Sequence, residues 1–184
     1  NLMDAHYQSI DMHDYGFDCQ ATRDAITDQT KMIFIANPNN PTGTYLSHNQ
    51  LKQFLDQVPS HVIVVLDEAY KDYVLADSLD SNLTLLDSFP NLIITRTFSK
   101  IYGLAGLRIG YGLANEALIA ILKKVKLPFN TNSMALHAAH SALTTKSDFV
   151  AYSQDMNHKG AILYTEAANN WPVRLLDSKA NGSS

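Results

Sequence analysis

An α/β fold built on a mostly parallel, helix-covered sheet is predicted by three features of this chain. The first is a set of short apolar runs rich in β-branched residues, at 31–36, 62–66 and 92–95. Runs this short, and apolar at successive positions, read as strands buried on both faces of a covered sheet. The second is the segment between the first two runs. Ser47-His48-Asn49-Gln50 has the capping-box pattern, and Leu51, Phe54, Leu55 and Val58 then recur at helical spacing. Strand, helix, strand makes a βαβ unit with a parallel pair. The third is how the runs stop: at Asn37-Pro38, at Asp67, and at Arg96-Thr97.

The remaining elements follow in order. Residues 109–113 form a further short strand whose glycines, Gly110 and Gly112, suit close backbone approach. Asn115-Glu116 opens a helix with Leu118, Ile121, Leu122 and Val125 on one face, and Pro128 closes it. Residues 133–144 read as a helix. A longer one runs from Asp148 to about Asn169, before Asn170-Trp171-Pro172. No internal repeat or low-complexity tract interrupts this series.

Composition narrows the function. With 46% hydrophobic and 17% charged residues, the chain is globular and can bury a sizeable core. A net charge of −4 argues against nucleic acid as a partner; Lys123, Lys124 and Lys126, the densest basic cluster, fit the solvated face of a helix. Cys19 is the only cysteine, so no internal disulfide can form, as suits a reducing compartment. The apolar runs are too short to span a bilayer, and no signal segment opens the chain. A cytoplasmic protein with no membrane partner is the expectation. The seven histidines are scattered, and His137 and His140 lack an acidic partner at ligand spacing, so no metal site is expected.

In open parallel sheets, ligands sit beyond the carboxyl ends of the strands. That puts Asn40, Asp67 and the segment from Thr97 through Ser99 to Lys100 on one rim, with Tyr70 and Arg108 nearby in sequence. An amide, a carboxylate, a phenol, an amine and a guanidinium therefore all appear at strand ends. Pyridoxal phosphate needs this set: a Schiff-base lysine, an acid for the pyridine nitrogen, donors for the phenolate oxygen and a cation for the phosphate. Taken singly, each residue has an ordinary alternative. Asp67 suits a strand cap, Asn40 a turn before Pro41, Tyr70 an amphipathic core position and Lys100 a solvated surface.

The segments Asn37-Pro38-Asn39-Asn40-Pro41-Thr42-Gly43, Leu66-Asp67-Glu68-Ala69-Tyr70 and Arg96-Thr97-Phe98-Ser99-Lys100 resemble the fold-type-I pyridoxal-phosphate aminotransferases (class I/II). Residues 102–111 and 128–133 look most like the histidinol-phosphate aminotransferase branch. The resemblance runs from about Asp4 to Asn181. It implies a three-layer, mixed, mostly parallel sheet with flanking helices, the large domain of that fold. It also implies roles. Lys100 would bind the cofactor covalently and shuttle the substrate proton. Asp67 would pair with the pyridine nitrogen, and Tyr70 and Asn40 would donate to the phenolate oxygen. Arg108, Thr97 and Ser99 would hold the phosphate. Glu68 would point the other way and serve structure.

The function implied is amino transfer between histidinol phosphate and 2-oxoglutarate in histidine biosynthesis, by a homodimer acting on small amino and 2-oxo acids. Three alternatives share many of the motifs: an aromatic or broad-range aminotransferase, a phosphothreonine decarboxylase of the same fold, and a pyridoxal-phosphate-sensing domain of a transcription regulator. Residues 1–145 would be an incomplete cofactor-binding domain, and 146–184 a long helix with the start of a small domain. The opening Asn1 and closing Gly182-Ser183-Ser184 read as the ends of an inactive fragment.

Overall fold

The computed structural model describes residues 5–74, 82–145 and 148–181. Helix α1 (Cys19–Asp24) starts at Asp18, whose side chain accepts the Ala21 N–H at 2.8 Å. Strand β1 (Met32–Ala36) leads into a tight loop and then helix α2 (His48–Leu55). The capping box forms as the sequence predicts. Ser47 Oγ accepts the Gln50 N–H, and Gln50 Oε1 accepts the Ser47 N–H at 2.9 Å. Such a cap contributes about 1 kcal/mol. Strand β2 (Ile63–Asp67), helix α3 (Leu85–Ser88), strand β3 (Leu92–Thr97) and strand β4 (Gly110–Ala114) complete the sheet.

The sheet is mixed and mostly parallel, in the order β1-β2-β3-β4. β1 and β3 both run parallel to β2, whereas β4 returns antiparallel to β3. That return brings β4 very close. A Cβ at Gly110 would lie 2.7 Å from the Arg96 carbonyl oxygen, so the position has room only for glycine. Helices α4 (Glu116–Val125), α5 (Ser133–Thr144) and α6 (Asp148–Ala168) follow. Asn115 and Asn132 cap the first two by accepting the N–H groups of Ala117 and Ala135.

Ile33, Ile35, Val64, Leu66, Leu92 and Ile94 pack against Leu51, Phe54, Leu55 and Leu85. Each such side chain, fully buried, contributes roughly 1.5–3 kcal/mol. This core covers one face of β1. The expectation of burial on both faces fails there: Ile35 is 1% exposed, but Phe34 on the opposite face is 70% exposed. Helix α4 departs in the same way. It begins at Asn115 and carries its apolar stripe, yet none of its residues is buried. Periodicity reports which face is apolar, not what covers it.

Candidate functional site

The parallel register sets the carboxyl ends of β1, β2 and β3 side by side. Ala36 pairs with Asp67, and Asp67 with Thr95. Three loops leave this rim, and they carry the residues singled out in the sequence.

The loop after β1 is braced by its own amides. Asn37, 1% exposed, donates through Nδ2 to the Leu46 carbonyl at 2.9 Å and accepts the Leu46 N–H at 2.7 Å. Asn39 Nδ2 donates to Thr42 Oγ1 at 2.7 Å. Gly43 sits at φ +70°, where glycine alone is unstrained, and a Cβ there would collide with Ser178. Lys179 N–H donates to the Gly43 carbonyl at 2.8 Å, so residues 178–179 lie along this loop. The result is a fixed Asn40, whose Nδ2 donates to the Tyr70 hydroxyl at 2.6 Å.

Tyr70 is 7% exposed and stands at the start of a 3-10 turn, Lys71–Tyr73. The Lys100 amine lies 4.9 Å from the centre of the Tyr70 ring, within cation–π range. Asn40, Tyr70 and Lys100 thus meet, although thirty or more residues separate Asn40 from the other two. Tyr73 joins them from the next turn. Burial raises its phenol above the ordinary value, while a hydrogen bond with Asn181 and the charge of Lys100 pull the other way.

Asp67 ends β2, exposed, with Oδ1 accepting the Ala69 N–H at 3.0 Å. Its carboxylate lines a cleft whose other walls include Met12, Phe17, Phe34 and Asn39. An acid beside such apolar walls suits a flat, cationic heteroaromatic ring. On β3, Thr97 Oγ1 accepts the Ser99 N–H at 3.0 Å, which folds the chain toward Lys100. Arg108 follows a 3-10 turn, Ala105–Leu107, and holds a left-handed backbone at φ 52°. It is exposed, and its Nη1 donates to the Ala105 carbonyl at 2.8 Å. The structure therefore joins Asn40, Tyr70 and Lys100 by direct contact. Asp67, Thr97 and Ser99 share their rim through strand register, and Arg108 stands in the loop beyond. Among the described residues, no group of three or more His, Cys, Asp or Glu side chains is placed to hold a metal ion. Nor is any helix long and apolar enough to cross a membrane.

Sequence reasoning passed over Arg96, Asn82, Tyr73 and Asn181. Arg96 and Asn82 meet Glu68, whose side chain has no solvent exposure. A charged residue next to Asp67 in a strand that alternates faces was the available signal for Glu68. Its partners come from distant segments and have no local signature.

The sequence profile of the family "Aminotransferase class I and II" matches residues 2–170. Histidinol-phosphate aminotransferase 1 of Idiomarina loihiensis is 46% identical over 91% of this chain and 46% of its own length. Histidinol-phosphate aminotransferase of Bacillus pumilus is 43% identical over 96% of this chain and 48% of its own length. The chain spans about half the length of the curated relatives it matches. The crystal structure of histidinol-phosphate aminotransferase from Sinorhizobium meliloti in complex with pyridoxal-5′-phosphate superposes with a TM-score of 0.89 at 28% identity, covering 96% of this chain and 48% of that one. With a profile match over most of its length and a shared sheet topology, the chain belongs to the class I and II aminotransferase family.

Proposed function

We propose that the protein carrying this chain is a pyridoxal-phosphate-dependent aminotransferase that exchanges the amino group of histidinol phosphate with 2-oxoglutarate in histidine biosynthesis. The observation that carries this reading is the meeting of the Asn40 amide, the Tyr70 phenol and the Lys100 amine on the rim that also bears Asp67. The donor set fits the cofactor. Lys100 would bind it covalently and move a proton at the substrate α-carbon. Asp67 would keep the ring nitrogen protonated. Tyr70 and Asn40 would donate to the phenolate oxygen, and Thr97, Ser99 and Arg108 would hold the phosphate, Arg108 through its planar fork. When bound, the cofactor supplies an electron sink for the carbon that loses its proton.

In the same reading, residues 1–145 belong to the cofactor-binding domain and 146–184 begin the next one. The protein works as a cytoplasmic homodimer on small amino and 2-oxo acids. Histidinol-phosphate aminotransferases at 46% and 43% identity support the substrate choice. Borohydride reduction in the presence of pyridoxal phosphate, followed by peptide mapping, tests the central assignment. The label is expected on Lys100, and Lys100→Ala is expected to abolish both labelling and turnover in the full-length protein. Label on another lysine, or turnover in Lys100→Ala, would overturn it.

A further inference from the structure

Glu68 follows Asp67 directly, and the alternation of the strand turns the two carboxylates to opposite sides. Asp67 is exposed, whereas the Glu68 side chain is fully enclosed. A buried carboxylate persists only if its oxygens are satisfied. Those of Glu68 are. Oε1 accepts Asn82 Nδ2 at 2.7 Å, and Oε2 accepts Arg96 Nε at 2.9 Å and Nη2 at 2.7 Å. Burial weighs against the Arg96 charge, yet Glu68 holds the guanidinium above its ordinary pKa. Arg96 also bonds the Tyr111 side chain on β4. Asn82 Oδ1 stands 3.2 Å from His48 Nδ1 at the start of α2. One carboxylate therefore ties together β2, β3, β4 and the segment before α3.

Two short arms lead from this knot to the rim. From Glu68, the 3-10 turn is built on its carbonyl, which accepts the Lys71 N–H at 3.1 Å, and Tyr70 rides within that turn. From Arg96, the chain runs through Thr97 and Phe98. The Phe98 N–H donates to the Ile109 carbonyl, and the Phe98 carbonyl accepts the Leu104 N–H at 3.0 Å. Lys100 lies between, with its carbonyl accepting the Gly103 N–H at 2.9 Å. The arms meet again where the Lys100 amine stands over the Tyr70 ring. The loop Glu68–Tyr70–Lys100–Arg96 is closed at both ends.

We propose that Glu68, Arg96 and Asn82 form a buried positioning clamp that fixes the contact between Lys100 and Tyr70. Burying an ion pair is a poor source of net stability, because desolvation offsets the attraction. Its directional bonds, by contrast, demand one geometry. The clamp is made of positioning residues. None of the three is assigned a contact with cofactor or substrate. The proposal rests on the function above only for its chemical readout.

The test uses Glu68→Gln, Arg96→Met and Asn82→Ala. The first readout needs no cofactor: amide hydrogen exchange mapped along the chain. In variants that keep the wild-type circular dichroism, exchange within 68–74 and 97–104 is expected to quicken at least tenfold, with the core of α2 unchanged. The second readout is the rate of pyridoxal-phosphate fixation on Lys100 by borohydride, followed against pH. It is expected to fall at least tenfold and to change its pH profile. The double variant Glu68→Gln/Arg96→Met is expected to be no worse than the more impaired single one, since the pair acts as a unit. Should Glu68→Gln fail to fold, Glu68→Asp, which keeps the charge and shortens its reach, carries the same comparison. Exchange that quickens evenly across the whole chain, with an unaltered pH profile at Lys100, would overturn the proposal. Fixation on a different lysine in the wild-type chain would overturn the function instead and leave the exchange measurement to decide the clamp.

Discussion

Arg108 occupies a backbone region that costs an L-residue roughly 1–2 kcal/mol relative to its right-handed alternative. A residue held there is strained, and strain of this kind collects where function needs it. Arg108→Gly separates the two roles. Glycine accepts φ 52° freely, so the thermal midpoint is expected to hold or rise. Affinity for pyridoxal phosphate is expected to fall at least tenfold with loss of the fork, which a charge-assisted bond of about 1.5–3 kcal/mol implies. Calorimetry and an absorbance titration check both.

Tyr45 offers a pH test. Burial, and then the charge of Glu68, raises its phenol above the ordinary 10.0. A raised folded pKa means that the folded state keeps its proton after the unfolded chain has lost it. The resulting stability is fully present below pH 10 and drains away as pH rises through the folded value. Tyr45→Phe is therefore expected to flatten the loss of stability above pH 10, measured by urea unfolding against pH. The placing of Asn40, Asp67 and Lys100 at strand ends on one rim was legible in the sequence because each sits in a local motif. Arg96 was not, because its partner Glu68 lies 28 residues away and no local pattern links them.

At the scale of elements, Gly110 decides how closely β4 can return. Gly110→Ala would drive a methyl group against the Arg96 carbonyl, with no flexible side chain there to yield. Overpacking of this kind costs about 1–3 kcal/mol. That predicts a fall of roughly 2–12 °C in the thermal midpoint for a chain of this size, read by calorimetry. The start of α2 was legible because a capping box is written within four consecutive residues, Ser47 to Gln50. The parallel pairing of β1 with β2 was legible because a helix separates the two runs. The bare faces of β1 and α4 were not, because an apolar side chain records a capacity for burial and leaves its partner unnamed. Nor was the strap at Ser178 and Lys179, whose contact with Gly43 closes over more than a hundred residues of sequence.

At the scale of the molecule, exposed apolar side chains run from α4 through α6, and those between α4 and α5 are among the barest. Val125 is 73% exposed, Leu127 74%, Phe129 100% and Met134 75%. A run of neighbouring exposed apolar residues marks a contact surface. The 184-residue chain is expected to self-associate, giving a mass by light scattering above its 20.4 kDa, and Val125→Asp with Phe129→Asp is expected to restore the monomer. Its affinity for pyridoxal phosphate is expected to weaken as salt is raised, because Asp67 and Arg108 both stand open to water, where charge-assisted contacts are screened. Titration at low and at high ionic strength checks this.

The outer edge of β1 carries a consequence for how the 184-residue chain behaves in solution. Among the described residues, β1 has one strand neighbour, so a row of peptide groups from Met32 to Ala36 faces outward. Phe34 lies bare beside them, and Lys31 is the single charge in the stretch 31–36. Five apolar residues at an open edge form a template on which a second chain can add a strand, the step that seeds fibrous deposits. A second copy of the 184-residue chain could pair along this edge, so its aggregation is expected to rise with concentration.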